Sequence, residues 1–260
     1  LTICGTISLL LLVSSLSAFI QDDANNYSME SENGDVLVDI STHYSSENNT
    51  TLGWFAHASG LHDDMIEDSV SFQNGTTAVV GSFQSYIDFS YEFPGPLATG
   101  GTGDVDFFIA WLDENGSWQS SIGGGSQGID TINSIEKLSS GDIVVSGTYC
   151  YNTVGDECSL ILQGLDPLNK TNNDDSGNVF LASLSADGVW LWANQIESSY
   201  EVHEFSLKVN NQNEIHLGAI YTGMLEFNGQ LLPGSDQPSL LVAVYDEQGA
   251  PINAINVMFL

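Results

Sequence analysis

One segment of this chain occurs three times, and that recurrence limits the fold more than any other feature. The stretches DFFIAWLDENGSW (106–118), NVFLASLSADGVW (178–190) and PSLLVAVYDEQGA (238–250) each pass from an apolar run into a polar turn. The turns close on Gly116, Gly188 and Gly249, spaced 188 − 116 = 72 and 249 − 188 = 61. A second landmark keeps step with the first. TTAVVGSF, GDIVVSGTY and NEIHLGAIY place Gly81, Gly147 and Gly218 after an apolar strand, spaced 147 − 81 = 66 and 218 − 147 = 71. An acidic residue (Asp64, Asp130, Glu201) stands 17 positions before each of these glycines, with Ser69, Ser134 and Ser206 between. Two landmarks recurring in the same order define three units, approximately 54–117, 118–189 and 190–250. The earlier stretch DVLVDISTHYSSENNTTLGWFAHASG has the same strand–turn–strand character, and PINAINVMFL resembles the opening of a fourth unit.

The apolar runs are short, rich in β-branched and aromatic residues, and bounded by Gly, Asn and Asp, which is the signature of strands. No stretch carries helical periodicity over ten or more residues. The chain is therefore predicted to be all-β, with four strands per unit. One follows the Trp or its counterpart, one leads into the Ser landmark (INSIEKL), and the third and fourth are the VV(S)G and FFIAWL strands. Between the third and fourth lie long, dissimilar insertions, SYEFPGPLATGGTGDV and CYNTVGDECSLILQGLDPLNKTNNDDSG.

A D-x-F strand, an L-D-x-x-G turn, a Trp strand with a glycine pair, an Asp, and a strand ending V-x-G-x-aromatic together form a pattern. Here it is carried by Asp106, Phe107, Leu112, Asp113, Gly116, Trp118, Gly123, Gly124, Asp130, Val145, Gly147 and Tyr149. That pattern resembles the SBBP-type β-propeller repeat of exported bacterial and archaeal proteins. The resemblance covers about residues 35–260 and is closest in the middle unit; NQIESSYE in the third unit lacks the glycine pair. It implies β-propeller-like blades of four antiparallel strands and an extracellular setting, and it implies no catalytic residues. Propellers close with about four to eight blades, so three and a fraction blades are expected to be a fragment of a longer chain. An open or sandwich-like β domain is the alternative.

Charge restricts the partners. The chain has 34 acidic residues against three lysines (Lys137, Lys170, Lys208) and no arginine, a net charge of −31. Binding nucleic acid requires cations that displace the phosphate counterions, and an anionic membrane surface would repel such a chain. Residues 1–20, LTICGTISLLLLVSSLSAFI, are uncharged and precede a polar stretch over 21–34, so they read as a secretory signal peptide or an N-terminal anchor. Acceptor motifs for N-glycosylation begin at Asn26, Asn48, Asn49, Asn74, Asn115 and Asn169. Cys150 and Cys158 flank a Gly-Asp turn in YCYNTVGDECSL; a disulfide closing a hairpin is expected, with two unrelated small core residues as the alternative. The chain is thus expected to be secreted or displayed at a cell surface.

Few residues suggest chemistry. HASGLHDDMIED gathers His57, His62, Asp63, Asp64, Glu67 and Asp68, but its two histidines are five apart in a strand-and-loop context. The hairpin turns and the loop TNNDDSGN offer oxygen ligands for Ca²⁺, with Asp174, Asp175 and Asn178 as the best candidates. As turns of Asp, Asn and Gly they need no ion, and no cofactor is expected. No Walker loop or Cys–His pairing is present. Trp54, Trp111, Trp118, Trp190 and Trp192 are expected in the core rather than stacked on sugars. The sequence reading is a non-enzymatic surface protein that binds extracellular glycans or surface proteins through its variable loops. An extracellular carbohydrate-active enzyme or binding module, or a structural surface-layer component, are the alternatives.

Overall fold

Each repeat unit supplies one antiparallel meander of four strands. Sheet 1 comprises β3 (Met65–Ser71), β4 (Thr77–Gln84), β7 (Val105–Leu112) and β8 (Trp118–Gly124). Sheet 2 comprises β9 (Ile129–Lys137), β10 (Ile143–Tyr151), β13 (Asn178–Leu184) and β14 (Trp190–Ser198). Sheet 3 comprises β15 (Val202–Val209), β16 (Ile215–Tyr221), β19 (Ser239–Tyr245) and β20 (Pro251–Met258). The computed structural model describes residues 35–37, 56–60, 62–89, 96–99, 104–153, 158–171, 175–198, 200, 202–234 and 237–258, with no helix among them. Among the described residues the sheets stay open, and sheets 1 and 2 share a single parallel bridge, Val105↔Ile129. The Trp strands β8 and β14 pair back onto the strand before them, so the hydrogen-bonded sheets end one strand later than units cut at the tryptophans.

A fourth, smaller sheet is assembled from β1 (Asp35–Leu37), β2 (His57–Gly60), β5 (Tyr86–Asp88) and β6 (Pro96–Ala98). β1 and β2 are the strand–turn–strand expected before the first unit, whereas β5 and β6 come from the insertion of unit 1. The insertion of unit 3 behaves alike: β17 (Leu225–Phe227) pairs with the edge of β14 and with β18 (Gln230–Leu232). The insertion of unit 2 instead pairs β11 (Ser159–Leu160) with β12 (Leu168–Asn169).

The repeated polar turns are built by their first residue. Asp113 Oδ1 accepts the amides of Asn115 and Ser117, and Asp246 Oδ1 accepts those of Gln248 and Ala250. Ser185 takes this place in unit 2, its hydroxyl accepting the Val189 amide. The closing glycines Gly116, Gly188 and Gly249 sit at φ of 77°, 78° and 80°, a region that L side chains seldom enter.

The sheets stack face to face. Val70, Ala78, Val80, Phe107, Ile109 and Trp111 of sheet 1 pack on Ile132, Ile143, Val145, Tyr149, Phe180 and Leu184 of sheet 2. The opposite face of sheet 2, with Val144, Val179, Leu181 and Ile196, packs on Leu207, Ile215, Leu217, Tyr221, Leu241 and Tyr245 of sheet 3. The remaining face of sheet 1 (Val79, Phe83, Phe108, Ala110) is covered by Ala58, Ile87, Phe89 and Leu97 around the small sheet. Strands β7 and β13 consequently read as nearly continuous apolar runs buried on both sides.

A bulge recurs between the first two strands of sheets 1, 2 and 3, after Ile66, before Ser134 and after Glu204. Gly81 and Gly147 face it at equivalent registers, opposite Ile66 and Ile132. A Cβ on either would stand 1.9 Å from the carbonyl oxygen of Met65 or Thr131. In sheet 3 the residue at this register is Ala219, opposite Glu204, and Gly218 lies one place earlier. The third glycine of the sequence pattern is therefore displaced by one residue from its structural counterpart. Gly147→Ala is expected to cost more than about 2 kcal/mol, read as a lower midpoint in equilibrium denaturation.

Candidate functional site

The meander topology separates two ends. The polar turns lie at one end: the Ser139 amide of sheet 2 donates to Asn213 Oδ1 of sheet 3, and Asn213 Nδ2 donates to Glu247 Oε2 of the other turn of sheet 3. The insertions (residues 85–104, 152–177 and 222–238) all leave the opposite end, because each joins the second strand of its sheet to the third. Residues at that end are where the sheets differ most.

The polar cluster of unit 2 is the densest. Cys150 and Cys158 form a disulfide with a Cα–Cα distance of 6.0 Å, 0% and 5% exposed. Asp130 is fully buried beside it. Its Oδ1 accepts from the Cys150 amide at 2.9 Å and from Ser126 Oγ at 2.6 Å, and its Oδ2 accepts the Ser126 amide at 2.8 Å. Burial raises the carboxyl to about 6, with those hydrogen bonds opposing the rise. Lys170 is buried in the same insertion, and its ammonium donates to the carbonyls of Thr153 and Cys150. Tyr149 donates to Gln195 Oε1 at 2.6 Å, and burial pushes its hydroxyl far above its ordinary value. Tyr221 repeats that bond in sheet 3, donating to Asn256 Oδ1 at 2.9 Å, with Phe83 at the equivalent register of sheet 1. Tyr149 is the aromatic that closes the V-x-G-x-aromatic pattern; its hydroxyl bond and the repetition of that bond by Tyr221 were not read from the sequence.

Asp130 is thus a clasp. It ties the linker between sheets 1 and 2, at Ser126, to the end of β10. Asp64 lies at the same place before β3, its carboxylate packed against Gly60 of the preceding linker. The register in sheet 3 puts Val202, 1% exposed, where Asp64 and Asp130 stand. Glu201, read as the third acid of the series, lies outside the described residues, and the counterpart of the buried carboxylates is an apolar side chain.

The other candidates disperse. His57, His62 and Asp63 are exposed, while Asp68 reaches across to sheet 2 and accepts the Ile135 amide at 3.0 Å. Burial, followed by hydrogen bonds that oppose it, leaves the Asp68 carboxyl above its ordinary value; burial and the Asp68 charge raise Glu67. Among the described residues no group of three or more His, Cys, Asp or Glu is placed to hold a metal ion. Of the Ca²⁺ candidates, Asp175 is exposed, Asn178 is buried and donates to Thr171 Oγ1 at 2.7 Å, and Asp174 lies outside the described residues. Asn74, Asn115 and Asn169 are exposed; Asn26, Asn48 and Asn49 lie outside the described residues, as do residues 1–34. Among the described residues no helix is long and apolar enough to cross a membrane.

Two of the three lysines hold neighbouring inner strands together. Lys137 of β9 donates to the Ser71 carbonyl of β3, and Lys208 of β15 pairs with Glu136 of β9. The tryptophans of the described residues serve the packing, and Trp54 lies outside the described residues. Trp111 is 5% exposed and carries Gly188 of the next sheet on its ring, while Trp118 meets Phe89 edge-on at 4.9 Å. A shallow, mostly apolar pocket of about 310 Å³, open mouth included, lies beside Trp118 and is lined by Ala58, Asp64, Ile66, Phe89 and Phe108. It holds one tryptophan and one carboxylate. No family model matches this chain, and no curated protein matches it.

Two outcomes are expected from this cluster. Cys150→Ser or Cys158→Ser should lower stability by about 2.5 kcal/mol through the freed loop, measured by denaturant unfolding. Asp130 has a folded value above its unfolded one, so its contribution is complete below 3.8 and is lost as pH rises through about 6. Asp130→Asn should flatten that part of the stability-versus-pH curve by up to about 3 kcal/mol, measured by unfolding from pH 3.5 to 7.5.

Proposed function

We propose that this chain is an exported surface protein, built of propeller-type blades, that binds extracellular ligands through the insertions at one end of its stacked sheets. The observation that carries this reading is the contrast between a repeated frame and unrepeated insertions. The frame keeps its turns, bulges and buried faces from sheet to sheet. The insertions vary freely, build separate hairpins and leave from a common end, which is the arrangement of loops that carry function on a rigid scaffold. A buried disulfide suits an oxidising compartment. Exposure of Asn74, Asn115 and Asn169 leaves those acceptor sites accessible.

The ligands that fit such a surface are glycans or surface proteins, reached through hydrogen bonds or through Ca²⁺ held by the acidic loops. A strongly acidic surface disfavours nucleic acids and anionic membranes. A carbohydrate-active enzyme would need paired carboxylates around a sugar subsite, and the pocket beside Trp118 brings one carboxylate to one tryptophan.

The test is a glycan array probed with the full chain, with and without Ca²⁺. Binding that is lost when residues 152–177 are replaced by a short Gly-Asn turn supports the reading. Absence of signal in both conditions removes glycan binding, and release of reducing sugar from an array member replaces the binding protein with an enzyme.

A further inference from the structure

Sheet 3 has one face that no described residue covers. On its inner face Leu241, Ala243 and Tyr245 are buried against sheet 2, but the alternate residues of β19, Leu240, Val242 and Val244, are only partly buried. Around them the same face carries Ile220 at 42% exposure, Ile255 at 53% and Val257 at 43%. The register places these residues in rows: Ile220, Leu240 and Val257, then Gly218, Val242 and Ile255, then His216, Val244 and Asn253. An apolar patch of this continuity is unusual for a surface left in water.

Its counterparts in the other sheets say what covers it. Counting back 61 residues, as between Gly249 and Gly188, Leu240 corresponds to Val179, Val242 to Leu181 and Val257 to Ile196. Those three are 0%, 1% and 1% exposed because sheet 3 lies on them. In sheet 1 the equivalent residues of β7, Phe107 and Ile109, are 0% exposed because sheet 2 lies on them. Burial along β7 and β13 is continuous, and along β19 it alternates. The same face has therefore been covered twice in this molecule, each time by a four-stranded sheet of the next unit.

We infer that the outward face of sheet 3, centred on Leu240, Val242 and Val257, is an interface for one further four-stranded sheet of this repeat pattern. The inference rests on the stacking of sheets 1, 2 and 3 and not on what the insertions bind. A second copy of this chain is the poorer occupant. Every junction between the three sheets is made by two different faces, and the face of sheet 1 that such a junction would use is already covered. The exposed side of the small sheet mixes His57, Ser59, Tyr86 and Asp88 with Pro96 and Ala98, a poorer match to an apolar surface than a further sheet. The edge repeats the message. β14 receives β17 from the following unit, and β2 receives β5. A further unit would bring the same kind of hairpin to β20.

The experiment appends a second copy of residues 199–258 after residue 258 of the full chain, and in a parallel protein a copy of residues 125–198. The thermal midpoint should rise by on the order of 5 °C in at least one of them. Val242→Lys, at a partly buried site that faces outward, should leave the unextended chain within about 2 °C of its parent and abolish the gain in the extended one. An unchanged midpoint in both extended proteins overturns the inference. So does an unextended chain that sediments as a dimer dissociated by Val242→Lys, which would make a second copy the occupant.

Discussion

A four-stranded sheet that is apolar on both faces cannot stand in water, and sheet 2 is such a sheet. Val145, Tyr149, Phe180 and Leu184 point one way and Val144, Val179, Leu181 and Ile196 the other, all at 1% exposure or less. Each such side chain contributes about 1.5–3 kcal/mol when removed from water, so the sheet exists only between two neighbours. Everything else in the molecule serves that stacking. The linkers must return the chain to the start of the next sheet, and Asp130 and Asp64 stand at those returns. The polar turns must be tight enough for neighbouring sheets to approach, and Gly188 and Gly249 rest on Trp111 and Trp192 of the sheets before them.

This constraint explains why the conspicuous acidic residues are structural. Asp113 and Asp246 each use Oδ1 to accept two backbone amides of their own turns. Asp68 and Asp130 accept backbone amides across gaps between strands or sheets, which compensates part of the cost of burying a carboxylate. The scarce cations are used similarly. Lys137 and Lys208 bridge adjacent inner strands, and Lys170 satisfies carbonyls inside the disulfide-closed insertion. The exposed Lys208–Glu136 pair is worth less than about 1 kcal/mol, so it orients the strands more than it stabilises them.

Repetition also made the sequence unusually legible. The strand count per unit, the turn glycines and the Cys150–Cys158 bridge could be read from spacing, because each reflects a local rule: alternation, φ near 80°, or a short loop. Reading failed where a position is defined by pairing across strands. Gly218 matched Gly147 by letter, but the bulge register equates Ala219 with it. Val202 replaced the expected acid because burial, not charge, is the property that position shares across the sheets. The capture of β5 by β2 and of β17 by β14 left no pattern in the chain, since edge pairing satisfies backbone groups whatever the side chains are.

The sequence by itself determined that this protein is all-β, that it repeats, and where its chain turns, because those features depend on residues close together along the chain. Only the tertiary structure decided which sheet each strand joins, which carboxylates are buried, and which apolar face is left open. Those outcomes depend on what lies across a strand gap or a sheet interface, between side chains tens of residues apart. The two faces of a strand look alike in sequence, and burial distinguishes them only after the sheets have met.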